Sequence, residues 1–275
     1  MKYALVDGVV ERVSNFRIEP RTLFKGRGEH PKAGTLKPQI FPEDVFINLG
    51  RDAQIPICLK PGHAWGSVVF DNKTTWLSSY AAEGGHKKYV FLGAGSKMKG
   101  LNDVKKYEKA RDLKKKIDVV KESYYNQMKS ENQKDKMLGT ATYLIDTLAI
   151  RVGNEKNEDE ADTVGCCSLR KEHVAFEENN TLILDFYGKD SMRYYKKIQI
   201  DPIAYENLKL FVKNKDNEKD VFDLINPTKL NEYLSSLMPG LTAKVFRTFN
   251  ASNTLQIKLN EAFDKIKKNL SSKVK

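Results

Sequence analysis

Apolar residues recur at helical spacing between Val104 and Met128, and lysines crowd the other faces of this stretch. Steps of three and four residues bring side chains to one face of an α-helix, so the pattern predicts a long amphipathic helix. Residues 137–152 are apolar on most sides and predict a second, buried helix that ends at Gly153. Three further helices are predicted for residues 202–214, residues 227–238 and a stretch from about Thr242.

The first part of the chain is instead rich in glycine, proline and short β-prone runs. Residues 3–13 are two apolar runs joined by Asp7-Gly8, which predicts a hairpin with a type I′ turn. Residues 44–49 and 88–92 predict further strands, and residues 23–38 are too rich in Gly and Pro for regular structure. We interpret residues 23–38 as an exposed basic loop.

A hairpin is also predicted within the helical part, because residues 181–187 and 194–200 form two β-prone runs around a turn. The chain is therefore expected to be α+β. A β-rich half, residues 1–95, is hinged near Gly93, Gly95 and Gly100 to a mainly helical half, residues 96–275.

The net charge indicates which kinds of partner the chain can bind, and the number and spacing of its cysteines indicate the cellular compartment. The chain has 47 Lys and Arg against 36 Asp and Glu, a net charge of +11, which suits an anionic polymer or simply a soluble basic protein. Three cysteines, Cys58, Cys166 and Cys167, form neither a disulfide framework nor a spaced metal set, and the adjacent pair is expected to pack as small buried hydrophobes. We expect a reduced, intracellular protein with no membrane span, metal or cofactor.

Three cations on different predicted elements are candidates for chemistry: Arg151 at the end of the buried helix, Lys189 at the hairpin tip, and Arg247 near the start of the last helix. Each has an ordinary explanation when taken alone. Arg151 could satisfy helix-terminal carbonyls, Lys189 could be a solvated turn lysine, and Arg247 could pair with a carboxylate.

Four segments that contain or adjoin these cations resemble, in order, the core of eukaryotic type IB DNA topoisomerases: LAIRVGNEK, ADTVGCCSLR, DFYGKDSMRYY and GLTAKVFRTFNAS. The resemblance continues upstream in ERVSNFRIEPRTLFKGRGEHPKAG, PEDVFINLGRDAQIP and RDLKKKIDVVKESY, and covers essentially residues 2–263. It implies a β-rich clamp half hinged to a helical catalytic half like that of tyrosine recombinases and type IB topoisomerases. The implied partner is double-stranded DNA.

The resemblance also implies a reaction. In the family a tyrosine attacks a DNA phosphodiester, forms a 3′-phosphotyrosyl link and frees a 5′-hydroxyl, and the cut strand rotates before it is rejoined. Supercoils are relaxed without metal, ATP or any other cofactor. Arg151 and Arg247 match the two catalytic arginines, and Lys189 matches the lysine that protonates the departing 5′-oxygen.

The resemblance extends to candidate DNA-binding positions. Arg27 matches an arginine near the cleavage site, and Asp190 matches a residue that lines the same region. Lys32 and Lys37 lie on the loop with which the family clamps the duplex, although both could be solvated lysines without a specific role. Lys88 and Lys156 complete the candidate set.

The family's catalytic histidine and tyrosine have no match, because the last histidine is His173 and the last tyrosine is Tyr233. Tyr194 and Tyr195 are interpreted as sheet and core packing, and His30 and His173 are not expected to be catalytic. The chain is then a truncated enzyme, one completed by a separate C-terminal polypeptide that supplies the tyrosine, or a duplex-binding clamp that does not cut. A tyrosine recombinase is a further alternative, disfavoured by the VGCCSLR and KVFRTFNAS segments. A nuclear location follows from the resemblance alone.

Overall fold

Helices and sheets divide between two units in the computed structural model, which describes residues 2–17, 20–81, 87–154 and 160–273. The first unit runs to Val104 and also includes Glu160, and the second begins at Lys105. This division falls inside a helix, and the predicted boundary at residue 95 stays a prediction. The assignment of a clamp role and a catalytic role to the two halves stays a prediction.

The first unit contains a two-stranded sheet and a four-stranded sheet. Its strands are β1 (Tyr3–Val6), β2 (Val9–Arg12), β3 (Val45–Asn48), β4 (Ser67–Val69), β5 (Trp76–Ala81) and β6 (Lys87–Phe91). The larger sheet has the order β4-β3-β5-β6, with β3 and β4 parallel and the other neighbours antiparallel. Asp7 and Gly8 both have positive φ, at 48° and 78°, which confirms the predicted turn type. The strands predicted at residues 44–49 and 88–92 are confirmed, whereas β4 and β5 were not predicted.

The segment predicted as an irregular basic loop has a hydrogen-bonded base. The amide of Phe24 donates to the carbonyl of Thr35 at 2.8 Å, and the amide of Lys37 donates to Thr22 at 2.9 Å. Within the loop the rings of Phe24 and His30 pack edge to face, with centroids 4.7 Å apart. The glycines and prolines therefore shape the tip of the loop, while its two ends pair with each other.

The second unit contains most of the helical residues and a three-stranded antiparallel sheet. Its helices are α1 (Lys97–Met128, which starts in the first unit), α2 (Gln133–Leu148), α3 (Pro202–Val212), α4 (Pro227–Leu237) and α5 (Ala243–Lys273). The sheet has the order β7 (Val174–Glu177), β8 (Thr181–Tyr187), β9 (Arg193–Gln199). All five predicted helices and the predicted hairpin are confirmed, and the fold is α+β. Strand β7 was not predicted.

One hydrophobic core joins these elements. The apolar face of α1, predicted from its spacing, is buried at Leu113, Val120 and Met128. It packs in one cluster with α2, the three-stranded sheet and the first turns of α5, where Phe246 and Phe249 are buried. Cys166 and Cys167 are both buried in this cluster, as predicted. Burial raises the pKa of the Cys167 thiol to about 12, so the thiol stays protonated and unreactive.

The predicted end of α2 is wrong by several residues. The helix ends at Leu148, because Ala149 turns into the left-handed region with φ 52°. Gly153, taken as the stop signal, instead permits a close backbone approach, since a Cβ added there would lie 2.8 Å from the Cα of Gly165. Arg151 therefore lies beyond the helix and is exposed, rather than at a buried helix end.

No helix in the described part of the chain is long and apolar enough to cross a membrane.

Candidate functional site

The C-terminal end of α2, residues 146–149, is the point at which several elements of the second unit meet. Carbonyls at this end of a helix lack partners within the helix. Three of them accept hydrogen bonds from side chains of α5 and β9. The donors and acceptors are Asn250 Nδ2 to Asp146 O at 2.5 Å, Tyr194 Oη to Leu148 O at 3.4 Å, and Arg247 Nε to Ala149 O at 3.0 Å. We call residues 146–149 the α2 terminus.

Two of the predicted catalytic cations lie together at the α2 terminus. Arg247 is bonded to it directly, and Arg151 follows it in sequence by two residues. Burial and the positive charge of Arg151 lower the pKa of Arg247, which shows that the two guanidinium groups are within electrostatic reach. Arginine stays protonated in such surroundings, and the negative end of the α2 dipole offsets part of the repulsion. The pair is suited to bind an anion.

The side chains of these two arginines differ from other arginines of the unit in their partners. Within the described ranges, neither Arg151 nor the Nη groups of Arg247 form a hydrogen bond or ion pair with a side chain. The carboxylate partner considered for Arg247 is therefore not found among those residues. Arg170 and Arg193, in contrast, are bonded to carboxylates in two-pronged geometry.

Lys189 lies at the tip of the β8–β9 hairpin, as predicted, and is exposed. The turn is closed by a bond from the Gly188 amide to the Met192 carbonyl at 2.9 Å. Asp190 and Ser191 both have positive φ, 67° and 55°, a strained conformation for two consecutive residues other than glycine. The backbone at this tip is thus held in a specific, costly shape.

The stem of the hairpin is tied to the segment that carries Arg151. The Val164 amide donates to the Tyr187 carbonyl at 2.8 Å, and the nearby Cys166 amide donates to the Arg151 carbonyl at 2.7 Å. On the other strand, Tyr194 reaches Leu148 through its hydroxyl. The hairpin that carries Lys189 is therefore anchored on both strands to the surroundings of the two arginines.

An acidic cleft of about 380 Å³ lies beside the hairpin. Its carboxylates are bonded to arginines: Asp185 to Arg193 at 2.6 and 2.8 Å, and Asp162 to Arg170 at 2.7 and 3.0 Å. His173 lines the same cleft and accepts a hydrogen bond at Nδ1 from the Arg170 amide at 3.0 Å. Burial, followed by the charge of Arg170, lowers the pKa of His173, so the ring is neutral and acts as a structural acceptor.

The tyrosines of β9 differ from each other. Tyr194 is half-buried and stacks on Phe186 with ring centroids 5.0 Å apart, as its interpretation as a packing residue requires. For Tyr195 the expected core packing is wrong. Its side chain is 59% exposed and lies under the guanidinium of Arg193, 5.5 Å from the ring centroid, because alternate residues of the strand face opposite sides of the sheet.

The predicted DNA-binding residues are spread over several elements. Arg27 is exposed between Gly26 and Gly28, which both have positive φ, and Lys88 is exposed on β6. Lys32 and Lys37 are half-buried in the loop whose base is closed by Thr22 and Thr35, and Asp190 is exposed at the hairpin tip. Lys156 lies outside the described residues. The DNA-binding role of this set stays a prediction.

Two contributors to the site were missed from sequence. Asn250 was not singled out, although it stands three residues after Arg247 and hence on the same helical face. The hydroxyl of Tyr194 was not assigned a role. No group of three or more His, Cys, Asp or Glu side chains among the described residues is arranged to hold a metal ion.

Comparison with known proteins covers both units. The family described as "Eukaryotic DNA topoisomerase I, catalytic core" matches residues 95–275, and "Eukaryotic DNA topoisomerase I, DNA binding fragment" matches residues 1–92. The chain is 50% identical over 272 residues to DNA topoisomerase 1 of Schizosaccharomyces pombe, covering 98% of this chain and 33% of the relative. It is 48% identical over 266 residues to DNA topoisomerase 1 of Homo sapiens, covering 94% of this chain and 35% of the relative. The chain thus spans roughly a third of the length of these relatives.

Proposed function

The chain belongs to the eukaryotic DNA topoisomerase I family, and from that premise we propose that it is the core of a type IB enzyme. It binds duplex DNA and supports cleavage and rejoining of one strand through a 3′-phosphotyrosyl intermediate, which relaxes supercoils. One observation carries the proposal. Arg151 and Arg247 lie within electrostatic reach of each other at the α2 terminus, without a carboxylate partner among the described residues.

The arginines suit the charge that develops during attack on a phosphodiester. In the transition state, negative charge grows on the non-bridging oxygens of the phosphate. Guanidinium groups that are already in place stabilise this charge without reorganisation. Arg247 is held at Nε by Ala149, so its orientation is set before DNA arrives. Arg151 and Arg247 are therefore the proposed transition-state stabilisers.

Lys189 is the proposed general acid. As the phenolic oxygen of a tyrosine forms its bond to phosphorus and gives up its proton to solvent, the bond from phosphorus to the 5′-oxygen breaks. The ammonium of Lys189 donates a proton to that oxygen, and rejoining runs the same steps in reverse. Its place on an exposed, strained hairpin tip supports this role, because such a tip can enter a groove of DNA.

The nucleophilic tyrosine and the histidine are proposed to come from a part of the enzyme C-terminal to this core, either in a longer form of the chain or in a separate polypeptide. Two tyrosines near the α2 terminus are already engaged: the Tyr194 hydroxyl donates to Leu148, and the Tyr124 hydroxyl donates to the buried carboxylate of Asp146 at 3.0 Å. Burial raises the pKa of both, which disfavours the phenolate needed for attack. Neither is available as the nucleophile.

The β-rich half is proposed to act as a clamp hinged to the catalytic half, which resembles the catalytic domain of tyrosine recombinases. Arg27, Lys32, Lys37, Lys88 and Lys156 would contact the phosphate backbone, and Asp190 would lie near the cleaved strand. Backbone contacts of this kind position a protein on the duplex without reading sequence. A nuclear location is part of the proposal, and the distribution of a fluorescent fusion tests it.

The main proposal is tested by measuring relaxation of a supercoiled plasmid. The chain is incubated with the plasmid alone, and then with a tyrosine-bearing C-terminal fragment of a relative. Relaxation only in the mixture supports a split or truncated enzyme. Binding without relaxation in both reactions favours the alternative, a duplex-binding clamp that does not cut. Replacing the fragment by its Tyr→Phe variant is the matched control and should abolish relaxation.

A further inference from the structure

We propose that Asn250 is a positioning residue that holds Arg247 in the orientation required for phosphate binding. The inference rests on the proposed function for its consequence in catalysis, but its geometric part can be tested without DNA. Asn250 acts through the α2 terminus and does not itself touch the phosphate.

Two hydrogen bonds connect α5 to the α2 terminus at matched spacing. Arg247 and Asn250 are three residues apart on α5, and their acceptors, Ala149 and Asp146, are three residues apart on the α2 side. A single bond between the helices would leave α5 free to pivot about its contact. Two bonds one turn apart determine both the rotation of α5 about its axis and its register along α2.

Apolar packing alone does not supply this constraint. Phe246 and Phe249 bury the same part of α5 in the core, and their burial contributes hydrophobic free energy to the binding of the helix. The hydrophobic effect is non-directional, so it favours contact without selecting one rotation. Among the described residues, the side chains of Arg247 and Asn250 are the groups of α5 that form directional bonds at this contact.

The acceptor of Asn250 is itself fixed. The Asp146 side chain is buried and accepts a hydrogen bond from Tyr124 on α1 at 3.0 Å. This bond and the burial of Asp146 anchor the residue whose carbonyl accepts from Asn250, so the α2 terminus resists a shift when the amide of residue 250 is lost. Instead, α5 moves, and Arg247 moves with it.

Removing Asn250 leaves every charge of the site in place. The loss is one of orientation, and a misplacement of about 1 Å in a positioning contact can lower the rate of a reaction by about 100-fold. A residue that merely stabilised the fold would lower the melting temperature without altering how Arg247 responds to substitution. Measuring the effect of an Arg247 substitution with and without an Asn250 substitution therefore distinguishes the two roles.

The first measurement is hydrogen exchange of the Arg247 Nε proton, followed by NMR in the full chain without DNA. We expect Asn250→Ala to raise the exchange rate about tenfold, because the bond to Ala149 opens more often. Asn260→Ala, which removes the same amide from the exposed side of α5, is the matched control and should leave the rate unchanged. An unchanged rate in Asn250→Ala overturns the inference.

Asn250→Leu is the second variant, because it retains the size of asparagine and removes only the polar groups. It must give the same rise in exchange, and a melting curve shows that it is folded. If Asn250→Ala fails to fold, the test rests on Asn250→Leu alone. An unchanged exchange rate of the Arg247 Nε proton in Asn250→Leu then overturns the inference.

The second measurement is a double-mutant cycle for cleavage in the mixture with the tyrosine-bearing fragment. We expect Arg247→Ala to lose much less activity in the Asn250→Leu background than in the unmodified chain, because Arg247 is already misplaced there. Multiplicative losses overturn the inference while the proposed function stands. If Arg247→Ala has no effect in the unmodified chain, the proposed function fails, and the exchange experiment still decides the geometric part.

Discussion

Arg247 on α5 donates its Nε hydrogen to the carbonyl of Ala149 at 3.0 Å, across 98 residues of sequence. The bond places a half-buried guanidinium at the end of α2, two residues in sequence from Arg151. It also assigns different tasks to the parts of one side chain. Nε anchors the group, and the Nη groups remain for a ligand, since they have no partner among the described residues.

Substitution of Arg247 by lysine tests this division of tasks. A lysine keeps the charge but cannot bond Ala149 and a phosphate at once through a planar fork. In the mixture with the tyrosine-bearing fragment, we expect Arg247→Lys to lower the cleavage rate by about 10²–10³-fold, as loss of a preorganised donor does. Duplex affinity should change by less than about threefold. Arg193→Lys, at an arginine paired with Asp185, is the control, and an equal loss there would contradict the assignment.

The left-handed conformation of Ala149 predicts a stability gain. Its φ of 52° is strained for alanine and is readily adopted by glycine. We expect Ala149→Gly to raise the free energy of unfolding by about 0.5–1 kcal/mol, measured by urea denaturation. Ala251→Gly, inside α5, should lower it by about 1 kcal/mol. A loss of stability in Ala149→Gly would show that the alanine side chain contributes packing that outweighs the strain.

Lys189→Ala separates a proton donor from a phosphate anchor. A general acid is required for departure of the 5′-oxygen but contributes little to ground-state binding. We therefore expect duplex affinity to stay nearly unchanged while cleavage in the completed enzyme is lost. A substrate with a 5′-bridging sulfur, whose leaving group needs no proton, should restore cleavage by this variant. A collapse of duplex affinity would make Lys189 a simple anchor.

The salt dependence of duplex binding tests Lys32. Each neutralised phosphate contributes about 0.9 to the slope of log affinity against log salt concentration. Lys32→Ala should reduce that slope by about this amount if the lysine contacts DNA. Lys209→Ala removes the same charge from an ion pair with Glu206 on α3 and should leave the slope unchanged. An unchanged slope in Lys32→Ala removes this residue from the DNA-binding set.

The lowered pKa of His173 predicts that the folded chain loses stability on mild acidification. Burial and the charge of Arg170 lower its pKa in the folded chain, so the unfolded chain binds the proton at higher pH. The unfolded state then holds more protons as the pH falls below about 6.5, and the free energy of unfolding decreases. His173→Asn keeps an acceptor for the Arg170 amide but does not titrate, so its stability should fall less between about pH 7 and pH 5.5. The Asp162 and Asp185 carboxyls have lowered pKa values and respond at more acidic pH.

Most of the fold could be predicted because the hydrophobic periodicity is strong. The spacing from Val104 to Met128 gave α1, and Asp7-Gly8 gave the first hairpin with its turn type. The end of α2 could not be predicted, because glycine is a common stop signal and Ala149 carries no sign that it will adopt a left-handed conformation. Strands β4 and β7 are too short for alternation to stand out from their surroundings.

The residues of the site were harder to predict from the sequence than the helices and strands of the fold. Arg151, Lys189 and Arg247 were identified through a family resemblance, and their local sequence alone fits ordinary surface roles. The structure brings Arg151 and Arg247 to one helix end and anchors the Lys189 hairpin nearby. Asn250 was missed because a hydrogen bond to a backbone carbonyl distant in sequence leaves no pattern in the chain.

The long sequence separation between Ala149 and Arg247 affects when the arginine pair can form during synthesis. A ribosome adds about 5–20 residues per second, so the α2 terminus exists for roughly 5–20 seconds before its partner on α5 has been made. In that interval the nascent chain can present Arg151 without Arg247. The paired guanidinium groups are thus completed late and in one step, when α5 docks. Before that point, an anion at the α2 terminus meets one guanidinium group instead of two.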